Sequence, residues 1–333
     1  MTSNFEFEPS AGRARALDVR MRERLADSLS YVAEELGEEL SGGAAMAERA
    51  LPLIRSRRVS SLVFGAYYDL VLAASEDDRE AAATLAAEIA CATPLEGEVR
   101  VVELDDPSAG LSWGRFRRLM DTDPETPLAL YPPRPDVAAE CRRRVAEAFE
   151  LLDRGFPAMA AEIRGLIGEL VLAAGDDNPK ALTFDGASCF MLWGAVLLNV
   201  KGQSTVLDTA QALAHESGHN LLFGFCTHGW LVENEDEERF ASPLRADPRP
   251  MDGIVHATYV TARMHQTVSR LLQARVLDPA QTEAALKDQA AHAAGFHSGD
   301  EVIRRSGRLT SLGASVMDSA RSYMAQHAAP VPA

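Results

Sequence analysis

The chain has 333 residues, 47% of them hydrophobic, and 33 Lys and Arg against 49 Asp and Glu give a formal net charge of -16. That length suits one large domain or two ordinary ones with a packed core. Such an acidic balance argues against nucleic acid or a membrane surface as partner, since both select basic patches. The first twenty residues hold no apolar signal segment and no run of about 18 apolar residues occurs, so a soluble cytoplasmic protein is expected.

The four cysteines, Cys91, Cys141, Cys189 and Cys226, are far apart and form no CxxC pair. That predicts reduced, buried thiols and neither an iron–sulfur cluster nor a zinc knuckle. Cys226 follows the metal motif described below closely and is the one thiol considered for a reactive role.

From Gly12 to about Glu39, Leu17, Met21, Leu25, Leu29 and Val32 recur at helical spacing. A second helix is predicted from Ala44 to Arg57. Ser60–Ala74 and Asp77–Ala92 form a helical hairpin joined through the acidic turn SEDD. Glu96–Leu104 alternates as a strand does, and Leu128–Tyr131 suggests another short strand before the Pro132–Pro135 segment. Helices follow over Asp136–Arg154 and Pro157–Ile167. Glu169–Ala174 and Phe190–Val200 read as strands, the second as a candidate edge against which an extended peptide could pair. After a loop at Gly224–Gly229 come the acidic run Glu233–Arg239 and the extended stretch Ser242–Pro250. Met251–Arg275 returns to helix, and helical patterns continue to about Gln326. Pro132–Pro135 is the best place to cut the chain, into a helical N-terminal region with short strands (1–132) and a catalytic domain (133–333).

Within Thr205–Gly224 the residues Ala-His215-Glu216-Ser-Gly-His219-Asn spell HExxH. On a helix, His215 and His219 share one face a turn apart, so both imidazoles can grip one divalent metal while Glu216 reaches a metal-bound water. Thr205 and Asp208 resemble a capping box, Leu207, Ala210, Ala214 and Leu221 give an apolar stripe, and Gly224 is a natural stop. The plainer reading is two histidines on an ordinary amphipathic helix. A catalytic ion needs a third protein ligand. A metzincin arrangement is excluded, because Leu222 and Phe225 stand where its glycine and third histidine belong. Glu235 would serve in a gluzincin arrangement, although such a charge run is commonly a solvated surface. His228 sits in the adjacent loop. His256 is preferred, since it begins a helix directly after SPLRADPRP among Ile254, Val255 and Val260.

HExxH followed by Ser242-Pro-Leu-Arg245-Ala-Asp247-Pro-Arg249-Pro and Gly253-Ile-Val-His256 resembles the 2-oxoglutarate-dependent HExxH-type peptide β-hydroxylases, which act on ribosomally made precursor peptides. The likeness covers roughly Phe184–Arg263. It implies Fe(II) held by His215, His219 and His256, with three positions left for 2-oxoglutarate and O2. This departs from the commoner two-His, one-carboxylate triad. The far carboxylate of the 2-oxo acid wants a guanidinium, for which Arg245 and Arg249 are candidates, with Ser242 grouped beside them. Arg249 is preferred because flanking prolines stiffen it; the plainer reading has either arginine paired with Asp247 or the acidic run.

The expected fold is α+β and predominantly helical, with a zincin-like catalytic core (a small sheet over the HExxH helix) between helical N- and C-terminal parts. The expected function is β-carbon hydroxylation of a precursor peptide. The alternative is a zinc metallopeptidase with Glu216 as general base.

Overall fold

A computed structural model describes residues 5–37, 41–107, 112–121, 128–176, 184–242 and 247–327. Among these the chain is α+β and predominantly helical. It forms two compact units, both assembled from separated stretches: residues 1–14, 143–163 and 203–333 make the first, residues 15–142 and 164–202 the second. The chain passes between the units at 14/15, 142/143, 163/164 and 202/203, and the second of these lies inside a helix.

The second unit takes most of α1 (Ala11–Leu36), then α2 (Gly43–Ser56), α3 (Ser61–Ser75) and α4 (Arg79–Ala90). The expected α3–α4 hairpin is present. Ser60 and Asp78 cap its helices by accepting from the Leu62 and Ala81 amides, and Asp77 turns the chain with φ 56°. There follow β1 (Arg100–Glu103), α5 (Trp113–Met120), the start of α6 (Pro135–Gly155), the end of α7 (Pro157–Leu166), β2 (Glu169–Ala173), β3 (Gly186–Ala187) and β4 (Ala195–Asn199). The sheet order is β1-β2-β4-β3, with only the β3–β4 pairing antiparallel. Every residue of β2 and β4 is buried, Glu169 and Asn199 included with the apolar remainder, as suits strands in the middle of the sheet. Leu62 of α3 and Phe116 and Leu119 of α5 pack in one core with Val171 and Leu197.

Two strand expectations are corrected here. Phe190–Val200 is not one strand: Phe190–Leu192 is a 3-10 turn, Gly194 breaks the run at φ 79°, and β4 lies between β2 and the two-residue β3, which pairs with Leu197 and Leu198. Leu128–Tyr131 contributes only a bridge from Tyr131 to Ala174.

The first unit holds α8 (Val206–Phe225), α9 (Met251–Ala274), α10 (Pro279–Ser306) and α11 (Ser311–His327), with the remainder of α6 and α7. The HExxH helix is α8, so it and the sheet belong to different units. α9 is the buried centre of its unit, with Ile254, Val255, Tyr259, Val260, Arg263 and Val268 all at or below 1% exposure. Among the described residues no helix is long and apolar enough to cross a membrane.

Candidate metal centre

α8 starts as its sequence dictates. The Asp208 amide donates to Thr205 Oγ1 at 3.1 Å and the Thr205 amide to Asp208 Oδ2 at 3.0 Å, a reciprocal capping box. Leu207, Ala210, Ala214 and Leu221 are buried. The stop is not Gly224: the helix runs on to Phe225, tightens into a 3-10 turn over Cys226–His228, and ends where Gly229 takes φ 144°.

On one face of this helix His219 meets two other histidines. Its Nε2 lies 3.2 Å from His215 Nε2 and its Nδ1 lies 3.2 Å from His256 Nδ1. His256 arrives on α9, entered through Pro250 as an extended N-cap and through a bridge in which Phe240 and Arg249 exchange two 2.9 Å backbone hydrogen bonds. Two nitrogens sharing one ion at the usual metal–imidazole distance stand roughly 3.0–3.4 Å apart, so both spacings suit a shared ion. His219, however, offers a different nitrogen to each neighbour. As the rings stand, no group of three or more His, Cys, Asp or Glu among the described residues is placed to hold a metal, and a single ion would require the His219 ring to turn.

The donor chemistry does fit a divalent cation. Met264 Sδ is 3.2 Å from His215 Nδ1, and Asp252 Oδ2 is 3.8 Å from His256 Nε2. With His215 Nδ1–H directed at Met264, the lone pair of His215 Nε2 faces His219, the arrangement by which an outer partner orients a metal-binding imidazole. Asp252 is too far from His256 to hydrogen-bond with it and acts on it through its charge. Burial pushes His215 down to about 4, with the nearby His292 acting the same way, and holds His219 well below its ordinary value. His256 is also lowered by burial, against the opposing pull of Asp252. All three are thus neutral at pH 7, the ligating form. Glu216 is 4% exposed, with Oε1 3.9 Å from His215 Nε2.

The other candidates separate. Glu235 is exposed in a turn whose amide donates to Glu238 Oε1, and Glu238 pairs with Arg308 at 2.5 Å. The acidic run is therefore a surface turn; its buried member is Asn234, which accepts from the Arg308 amide. His228 is exposed, its ring 5.5 Å from Phe5. Arg249 pairs with Asp247 at 2.6 Å, the plainer of its two readings, and its contacts among the described residues do not reach the histidines. Ser242 is half-buried; Arg245 lies outside the described residues. Burial pushes the Cys226 thiol up to about 12, with Asp252 adding to the effect, so it is protonated at neutral pH.

Several contributors escaped the sequence reading. Gln211, His215, His219 and Phe223 recur every fourth residue, which is the signal that a whole stripe of α8, not only its histidines, lines the site. Phe223 lies 5.5 Å from the His256 ring and closes one end. At the other, Gln211 Nε2 donates to Asp288 Oδ2 at 2.9 Å, so its oxygen accepts from His292 Nε2 at 2.6 Å. Compared with known proteins, the chain matches no family model and no curated protein.

Proposed function

We propose that this chain is a metal-dependent oxygenase that uses Fe(II), 2-oxoglutarate and O2 to hydroxylate the β-carbon of a residue in a ribosomally made precursor peptide. The observation that carries the reading is the company His219 keeps: a third neutral imidazole, His256, stands 3.2 Å from it, while the carboxylate of Glu235 is exposed. His215, His219 and His256 would hold the ion, which when bound supplies the oxidising chemistry and leaves positions open for small ligands. The protein's part is to fix three neutral imidazoles, backed by Met264 and Asp252, and to shield one end with Phe223. Arg249 and Arg245, with Ser242, are proposed for the cosubstrate carboxylate. A zincin-like core is part of the proposal and rests on the motif helix alone. A cytoplasmic location agrees with four cysteines that form no disulfide.

The second reading, a zinc peptidase, is favoured by Glu216, a buried carboxylate 3.9 Å from His215 Nε2. There Glu216 would take a proton from the attacking water, and its loss would cost about 10²–10⁴-fold. Protein purified without oxygen and loaded with Fe(II) and 2-oxoglutarate decides between them. Succinate release on admitting air is expected from wild type, retained in Glu216→Gln and Glu235→Gln, and lost together with most bound iron in His256→Ala. Iron retained by His256→Ala but lost by Glu235→Gln would sink the three-histidine site. Peptide-bond cleavage with zinc alone, abolished by Glu216→Gln, would install the peptidase.

A further inference from the structure

Glycine inside a helix weakens it by roughly 0.5–1 kcal/mol relative to alanine, yet one of the two unspecified positions of HExxH is Gly218, in the buried middle of α8. The reason is across the gap. A Cβ built on Gly218 would stand 2.9 Å from Val260 Cγ1 and 3.6 Å from Arg263 Cγ, both on α9. Val260 and Arg263 are fully buried, and valine in a helix has essentially one rotamer. Neither can swing aside; the helices must part instead. Gly218 adjoins His219, and Val260 lies one turn beyond His256, so the contact sits beside the pair of rings it would separate.

We propose that Gly218 is a positioning residue: its missing side chain sets the α8–α9 spacing at which His256 joins His215 and His219 as a metal ligand. This rests on the three-histidine reading. Ordinary van der Waals contact begins at 3.4 Å, so alanine demands a displacement of about half an ångström, whereas metal–ligand distances tolerate only about 0.2 Å. Steric crowding at Gly218 therefore becomes loss of the third ligand.

Co(II) and Zn(II) titrations of the full chain test this in wild type, Gly218→Ala, Val260→Ala and the double variant, with helix content and thermal unfolding measured alongside. Gly218→Ala should lose tenfold or more in affinity for both ions, with the cobalt spectrum moving toward that of His256→Ala. Val260→Ala should bind as wild type. The double variant, its gap reopened from the other side, should recover to within about threefold, an outcome that altered helix propensity alone would not produce. Should Gly218→Ala fail to fold, a folded, metal-binding double variant still establishes the gap, and an unfolded double variant overturns it. Unchanged affinity in folded Gly218→Ala, or no recovery in a folded double variant, overturns the positioning role while leaving the metal site. A wild-type chain that takes up neither ion overturns both.

Discussion

At the scale of single residues, the first unit is crowded with neutral histidines, and His265 shows what that means for stability. It is 1% exposed, its Nδ1 lies 3.3 Å from the Tyr323 hydroxyl, and Ser269 Oγ is 3.5 Å away. Burial first, then the like charges that His292, His327 and His297 would carry, push it down to about 4. Unfolded, it titrates near the ordinary histidine value. Between about pH 6.5 and 4 the unfolded chain therefore binds a proton that the folded one refuses, and the protein loses stability as pH falls through that window. The loss from this residue over the whole window is on the order of 3 kcal/mol. Urea unfolding at pH 7 and pH 5 should give a clearly smaller pH difference for His265→Gln than for wild type; an identical difference would show that His265 is not the group responsible. The same comparison of environments explains why residue type alone did not locate the site. His228, His265 and His256 are indistinguishable as letters, and only packing makes one exposed, one a core histidine and one a neighbour of His219.

At the scale of elements, helix packing is governed by where side chains are missing. A Cβ on Gly299 of α10 would fall 2.1 Å from Thr258 Oγ1 on α9, and that hydroxyl is already tied to the Ile254 carbonyl at 2.7 Å. Among the described residues, no atom outside its own helix backbone and chain neighbours lies within 4 Å of a Cβ built on Gly114 of α5. Gly299→Ala should therefore destabilise by about 1–3 kcal/mol through overpacking, while Gly114→Ala should be neutral or stabilising by up to about 1 kcal/mol. Chemical denaturation of both variants checks the contrast, and equal effects would contradict it. Glycine is also where sequence reading of the elements reached its limit. Helices α1–α4 and α6–α9 were legible because apolar spacing and caps are local, whereas the helical pattern running to Gln326 did not show its division into α10 and α11. Thr205 with Asp208 announced α8 and formed the reciprocal box expected of them. The short α5 was missed although Trp113, Phe116 and Leu119 recur every third residue, because its charged remainder, Arg115, Arg117 and Arg118, hides the stripe. Gly194 inside an apolar run was a sign that the run breaks, and strand order was illegible because parallel pairing joins residues with no local signal. His256 was singled out by its place at the buried start of a helix and then by a resemblance, but its contact with His219, 37 residues away, had no local signal.

For the whole molecule, the question is what joins a unit made of three separated stretches, and the answer is one carboxylate. Glu162, from the middle stretch, is fully buried. Its Oε2 accepts from the Ser10 amide and from Arg13 Nη2, both at 2.7 Å, and its Oε1 pairs with Arg263. First, middle and last stretches therefore meet on a single side chain. Arg263 is equally buried and also donates to the Phe7 carbonyl at 2.8 Å, with its guanidinium over the Phe7 ring. Such a network is a poor source of net stability, because desolvating the charges offsets their attraction, but removing one member leaves an uncompensated buried charge. Glu162→Ala should therefore cost about 3–5 kcal/mol. Arg13, 12% exposed, can turn to water; Arg263 cannot. If the cost is the stranded guanidinium and not the cavity, Glu162→Leu should be nearly as damaging as Glu162→Ala, and adding Arg263→Met should restore much of the loss, an apolar pair filling the site of an ionic one. Removing residues 1–10 as well should cost clearly more than Glu162→Ala alone, since it also takes away the buried Phe7 ring and the carbonyl to which Arg263 donates. Urea unfolding of the four variants measures each step. A double Leu–Met variant no more stable than Glu162→Leu would mean that the stretches are joined by packing of Phe7 against Tyr259 and Tyr323 and not by the buried charge.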